Sequence, residues 1–467
     1  MSKAFVFCIG GTGLRIMKSA VMLMAAGMKT NGYEICPILI DPHEQLEEKK
    51  NLDLLINDYI DVYNKVVGKA DVDKDQHNPL DGFFCTPIKR YYEYDGKQND
   101  TSTSLADNRT LRDFLEVGRI PANDINRFLV QTILSESNLN NALSVGFKGN
   151  PNVGTIVLGN LIDNQDWWEA FLRHFKDGDR VFIFSSIFGG TGASGFPLLL
   201  NKICNCEGHP MVQKAFVGAV TVFPYFSLED PSTTKSDIDS ANFITKTKAA
   251  LAYYEKNVNP DYLYYIGDIS HQASYDNNEA EQKNSAHFIE MIAATALFDF
   301  LRNRSKQSRP QYMSRAIEDD KEVLDLKSLG NGYKEEVRIV ANMKLLNLLM
   351  EVLKDETFFP LKKTHGFNKK FYNSDFKALD KFMGKFNTWY DEISNNTRGF
   401  SPLSIPKSTS GDLSKFIKHF SFNASRDHEL LLDMIEASKI PNENHHNVLR
   451  YFLDFAYTAI NNQTGKL

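Results

Sequence analysis

Residues 181–197 read VFIFSSIFGGTGASGFP, and this stretch limits the fold more than any other part of the chain. An apolar, β-branched run at 181–187 enters the turn Gly189-Gly190-Thr191-Gly192-Ala193-Ser194-Gly195, and helix-compatible residues follow to 204. The order is strand, tight turn, helix N-terminus. Such a turn presents bare backbone N–H groups at the positive end of a helix dipole, which suits a phosphate. Glycine is required where the backbone takes positive φ or must lie close to an anion. The sequence contains no G-x-x-x-x-G-K-[ST], so the Walker loop does not apply, whereas Gly190, Gly192 and Gly195 do have the G-x-G-x-x-G spacing of the dinucleotide fingerprint.

The N-terminal half repeats this strand–glycine–helix arrangement. A strand at 4–9 meets Gly10-Gly11-Thr12-Gly13, then a helix rich in Met, Ala and Leu runs to about 28. A strand at 33–40 ends at Asp41. Further strands are expected at 83–92, 181–187, 215–223 and 262–266, with helices at 46–62, 107–116, 123–143 and 166–175 and a turn-rich loop at 146–154. Strands that are apolar throughout, instead of alternating, belong to a parallel sheet covered on both faces. The expected fold is therefore α/β, with a doubly wound, mostly parallel sheet. Ligands of such sheets lie at the carboxyl ends of the strands, where both glycine loops fall.

Composition narrows the function. A chain of 467 residues exceeds one core and predicts at least two domains. A net charge of −6 disfavours nucleic acid as the partner. The 5 cysteines are odd in number; Cys8, Cys36 and Cys85 sit in apolar runs, which fits free thiols in a reducing cytoplasm. Cys204-Asn205-Cys206 is too closely spaced for a zinc pair, and no metal site is expected from protein ligands alone. No apolar run reaches the length of a membrane span, and no signal peptide is expected.

The glycine turn at 189–195 resembles the G-G-G-T-G-[ST]-G signature of the tubulin/FtsZ superfamily, and three upstream segments follow the superfamily order. Cys8-Ile9-Gly10-Gly11-Thr12-Gly13 is similar to the first phosphate loop. In Ile40-Asp41-Pro42, Asp41 falls on the acid of the N-T-D-A-Q loop that approaches phosphate and magnesium. Gly146-Phe147-Lys148-Gly149-Asn150-Pro151-Asn152-Val153-Gly154 looks like the loop that senses the γ-phosphate. Downstream, Glu229, Asp230 and Lys235 lie where the family contacts ribose. Asn284 opens a stretch resembling the start of the central helix that reads guanine, shifted by two residues from the family's Asn, with Ala286 at the aligned place. His287 and Glu290 form an i,i+3 pair there, open to a reading as a polar pair on the nucleotide side or to a catalytic or metal role.

The resemblance implies GTP or GDP with Mg²⁺. Gly10, Gly11, Thr12, Gly13 and Gly189, Gly190, Thr191, Gly192, Ala193, Ser194, Gly195 would hold the phosphates. Asp41 would act near the metal, Gly149 and Asn150 would report the γ-phosphate, and Asn284 would contact the base.

Further on, the family has an acidic loop, N-x-D-x-x-[DE], that completes the site of the next protomer. The register set by Arg309-Pro310 puts Ser314 on the Asn, Ala316 on the first acid and Asp319 on the second, so the pattern is broken. Asp319 and Asp320 are the catalytic candidates, and a charged β-hairpin is the alternative reading of that region. The last third carries helical periodicity at 333–355, 375–393, 413–420, 426–436 and 447–460, with an exposed loop at 397–411. The expected organisation is a nucleotide-binding domain at 1–305 and a divergent, mainly helical domain at 306–467 that meets a protein partner.

Three functions stay open at this point: a GTP-hydrolysing, self-assembling cytoskeletal protein of bacterial type; a nucleotide-dependent switch or scaffold that does not polymerise; and a Rossmann-like dinucleotide enzyme.

Overall fold

Strand β1 (Lys3–Ile9) is apolar on both faces because a separate core lies against each. Ala4, Val6 and Cys8 enter one cluster, while Phe5, Phe7 and Ile9 enter the other. The computed structural model describes residues 1–42, 47–68, 82–90, 109–143, 147, 150–162, 166–228, 243–268, 273–275, 284–317, 323–324, 334–354, 367–396, 398–400 and 447–464.

The remaining strands of the main sheet are β2 (Glu34–Ile40), β3 (Arg180–Ser186), β4 (Phe216–Val222), β6 (Tyr262–Asp268) and β8 (Gln311–Ile317), with short strands β5 (Phe226–Leu228) and β7 (Ala273–Tyr275) pairing apart from it. The spatial order is β2-β1-β3-β4-β6-β8, and every adjacent pair is parallel. A parallel bridge from Ile35 to Ile88 adds one more position beside β2, where the sequence predicts a longer strand. Counted along the chain, the positions then read third, second, first, fourth, fifth, sixth and seventh. The first six follow the order of doubly wound nucleotide folds. The winding reverses between β1 and β3, so a crevice opens there, above the carboxyl ends of both strands.

Helices cover both faces. Helices α1 (Gly10–Ala25) and α2 (Glu47–Val67) lie on one. Helices α3 (Pro151–Leu161), α4 (Asp166–His174) and α5 (Gly190–Cys204) cover the other. The second core is aromatic where α4 meets β1: Phe5 packs edge-on to Phe171 at 4.9 Å between ring centroids, and Phe7 meets Trp167 at 6.0 Å. Helix α6 (Phe243–Asn257) follows, and α7 (Phe288–Asn303) returns to the face of α1.

Beyond the sheet the described chain is mainly helical: α8 (Lys334–Lys354), α9 (Lys377–Ser394) and α10 (Val448–Thr464). Their apolar residues, among them Leu346, Phe386, Trp389 and Phe452, join the same cluster as α1, α2 and α7. Trp389 also donates through its indole N–H to Ser19 of α1 at 3.1 Å.

Several boundaries differ from the sequence reading: the helix expected at 123–143 is broken after Ile133, where Leu134 is extended, and resumes only at Glu136–Leu139, and Arg398–Phe400, expected in an exposed loop, are buried. The sheet continues past residue 305, because β8 pairs with β6 from Tyr262↔Gln311 to Asp268↔Ile317. Ser314 and Ala316 therefore stand inside a parallel strand, opposite Tyr265 and Gly267, and not in an acidic loop or a β-hairpin. The expected loop at 146–154 gives way to helix α3 at Pro151, since proline at the first helical position lacks only an N–H that would be unused there. The helices expected at 413–420 and 426–436 lie outside the described residues. Among the described residues no helix is long and apolar enough to cross a membrane.

Candidate functional site

Both glycine loops arrive at the switch point and touch. Ile9 pairs with Ile40, so Gly10 and Asp41 are the next residues as the two strands end. Gly10 takes φ +71, and a Cβ there would stand 3.2 Å from Thr191 Cβ and 3.4 Å from Gly192 N. This left-handed turn is strongly disfavoured for a residue with a Cβ. Asp41 is buried beside it, at 6% exposure.

Several glycines in these loops are needed for packing alone. A Cβ on Gly13 would come within 2.8 Å of Phe184 O, one on Gly192 within 2.8 Å of Ser186 N, and one on Gly195 within 2.8 Å of Ile9 Cγ2. These glycines let α1 and α5 lie directly on β1 and β3. The third loop joins them, because Gly154 in the first turn of α3 packs against Ser194 and the Gly190 carbonyl. Ser194 itself donates to Gly190 O at 2.6 Å.

The three helix starts share one property. Ile9, Asn150 and Gly189 are the N-cap residues of α1, α3 and α5; none makes a side-chain cap, and none of the three helices has an acid in its first turn. The first-turn N–H groups of a helix have no intrahelical acceptor. Three uncapped, acid-free N-termini therefore converge on one crevice, an arrangement suited to an anion. Helix α7 is the opposite case. His287 accepts from Ile289 N through Nδ1 at 3.1 Å, and Glu290 accepts from His287 N at 3.1 Å. The i,i+3 pair noted in the sequence is a capping box that closes the helix start with its own side chains.

Glu290 also anchors a buried polar cluster. Arg15 Nε donates to Glu290 Oε1 at 2.8 Å, Tyr225 donates to the same oxygen at 2.6 Å, and Arg15 Nη1 donates to Glu48 at 2.8 and 3.1 Å. Arg15 Nη2 reaches Tyr225 OH at 3.1 Å and Thr12 Oγ1 at 3.4 Å. Burial pushes the Glu290 carboxyl above its ordinary range, against the pull of Arg15 and the hydrogen bonds. Burial, followed by Arg398 and Arg15, pushes His287 down to about 3, so its ring is neutral at physiological pH.

Arg15 and Glu48 of this cluster line a cleft of about 470 Å³. Helix α1 contributes Leu14, Arg15 and Lys18, and α2 contributes Glu48, Asn51 and Leu55. The other sides come from Asn284, Ser285 and Ala286 and from Lys385, Thr388 and Glu392 of α9. Gly11 connects cleft and crevice: a Cβ there would lie 3.1 Å from Glu48 Oε2 and 3.6 Å from Arg15 Nη1.

Of the residues singled out by sequence, Gly10, Thr191 and Gly192 meet directly, with Gly190, Ser194 and Asn150 around the adjoining start of α3. Asn284 stands apart from them on the cleft wall. Gly149, Asp319, Asp320, Glu229, Asp230 and Lys235 lie outside the described residues. Sequence reasoning passed over Arg15, Glu48 and Glu392. The available signal was Arg15 and Lys18 as the only charges in an otherwise apolar α1.

Compared with known proteins, the chain matches no family model and no curated protein.

Proposed function

We propose that this protein binds a guanine nucleotide in the manner of the tubulin/FtsZ superfamily, with the phosphates at the switch point and the base toward the cleft. The observation that carries the reading is the convergence of three helix N-termini that lack both side-chain caps and first-turn acids. Backbone N–H groups of α1 and α5 would take the α- and β-phosphates, and those opening α3 the γ-phosphate. Asn284 lines the cleft that would hold the base. Asp41 suits a magnesium position, since Mg²⁺ is commonly held by one or two carboxylates together with phosphates and waters. Among the described residues no three His, Cys, Asp or Glu side chains form a metal cage, so the phosphates themselves would complete the coordination.

Competition binding on purified protein tests the reading: GTP binds more tightly than ATP. Equal affinities leave only phosphate recognition, and no binding of either overturns the proposal.

A nucleotide-dependent switch or scaffold with slow turnover is the second reading. Its support is the strand character of β8, which removes Ser314 and Ala316 from any loop that a neighbouring subunit's phosphates would meet. Pelleting with GTP against GDP separates the two, because a self-assembling protein sediments with GTP at high protein concentration and a switch does not.

A further inference from the structure

Ala286 occupies the cleft wall two residues after Asn284 and just before the capping box of α7. Both of its backbone polar groups are held by side chains from the C-terminal part of the chain. Its N–H donates to Glu392 Oε2 at 3.1 Å, and its C=O accepts from Asn396 Nδ2 at 3.0 Å. Glu392 Oε2 also takes Lys18 Nζ of α1 at 3.0 Å, so a single carboxylate ties α9 to two sides of the cleft. Two residues past Asn396, Arg398 forms an ion pair with Asp268 at 3.0 Å, with both side chains almost completely buried. Asp268 ends β6, so this pair fixes the chain beyond α9 to the carboxyl edge of the sheet.

The two groups belong to successive peptide units, so the unit between Ser285 and Ala286 cannot turn without breaking its N–H bond to Glu392. The unit between Ala286 and His287 is held at both ends, its C=O by Asn396 and its N–H by Glu290. The direction of the wall at 284–286 is therefore set from outside the nucleotide-fold sheet, by the end of α9 and the residues that follow it. We infer that Glu392 and Asn396 are positioning residues for the cleft, which holds the nucleoside end of the ligand only while these two side chains clamp Ala286. The C-terminal helices and the cleft are then two readouts of one arrangement, and a partner that shifts α9 changes nucleoside affinity. This inference rests on the nucleotide reading above and adds to it a control point in α9.

The test uses the full chain and three probes: guanosine, GTP and inorganic tripolyphosphate. Asn396→Ala and Glu392→Ala should each weaken guanosine and GTP by the same factor, about threefold to tenfold for one lost hydrogen bond. Tripolyphosphate affinity should not change. Glu392→Gln keeps an acceptor for Ala286 N and should fall between Glu392→Ala and the unaltered chain. A purely structural defect would lower all three probes together, and that result overturns the inference. So does unchanged guanosine affinity in folded variants. Should Glu392→Ala not fold, Asn396→Ala carries the comparison alone, because its side chain is only half-buried. If the unaltered protein binds tripolyphosphate but no nucleoside, the phosphate half of the functional reading stands and this inference falls. If it binds none of the three, both fall.

Discussion

Arg15 and Glu290 stand 275 positions apart in the chain and meet at 2.8 Å in the interior, tying the first helix of the sheet to the capping box of α7. Removing one partner of a buried pair costs far more than the pair contributes, because the other is left in a medium that cannot solvate it. Arg15→Met should therefore destabilise the protein by about 3–5 kcal/mol. The double variant Arg15→Met/Glu290→Gln should recover part of that loss, since a neutral amide tolerates burial and keeps the cap. Urea unfolding midpoints on the three proteins measure both effects. A loss below about 1 kcal/mol in Arg15→Met would place the pair among ordinary surface contacts.

His287 supplies a pH dependence of known sign. Its folded value of about 3 lies below the ordinary 6.5, so the unfolded chain binds the extra proton first. Stability from this group is complete above about pH 6.5 and declines as pH falls toward 3, by at most about 1.4 kcal/mol per pH unit. His287→Asn keeps a helix-capping acceptor and removes the titration. Between pH 7 and pH 5 the variant should lose less stability than the unaltered chain. Parallel curves would show that the ring does not change its proton affinity on folding.

Adjacent glycines should respond differently. Gly10→Ala forces a Cβ onto a left-handed residue facing Thr191, which should cost about 1–2 kcal/mol of stability as well as nucleotide affinity. Gly11→Ala meets only the ends of the Glu48 and Arg15 side chains. It should fold with near-normal stability and shift nucleotide affinity alone. Melting temperature and GTP affinity measured on both variants separate backbone strain from ligand contact, and a matching loss of stability in Gly11→Ala contradicts this account.

Turnover tests the proposed shared site. If Asp319 and Asp320 act on the nucleotide of a neighbouring copy, GTP hydrolysis per molecule rises with protein concentration. Asp319→Ala with Asp320→Ala then abolishes hydrolysis and leaves GTP binding near normal. Slow turnover independent of concentration assigns the protein to the switch reading.

Most of the sheet could be read from the sequence because its strands are short apolar runs, and β1 and β2 lead directly into Gly10 and Asp41. The runs expected at 4–9 and 33–40 appear as Lys3–Ile9 and Glu34–Ile40. Strand β8 was harder to recognise. Gln311, Ser314 and Arg315 interrupt its apolar residues, as suits an edge position with a single strand neighbour. The polar cluster of the cleft was invisible for a different reason. Arg15, Glu48, Tyr225 and Glu290 come from four separate segments, and no local spacing relates them. The capping box at His287 went unrecognised because the usual signature starts with Ser or Thr, and here a ring nitrogen serves as the acceptor.

The seating of α10 against α2 has a consequence for how the chain is made. Tyr457 of α10 packs edge-on to Phe83, and Asn447, just before α10, donates to the Lys65 and Val66 carbonyls that end α2. Synthesis runs from the N-terminus, and an early segment waits for whatever later segment covers it. Among the described residues, the buried members of the aromatic core on the far side of β1 run no further than Leu263. The face of α1 and α2 has no such independence: Leu449, Phe452 and Ile460 belong to it and are synthesised well after Leu263. A nascent chain that has passed Leu263 but not yet reached α10 therefore carries the described parts of one core and an apolar flank awaiting its cover, and deleting α10 would leave that flank bare.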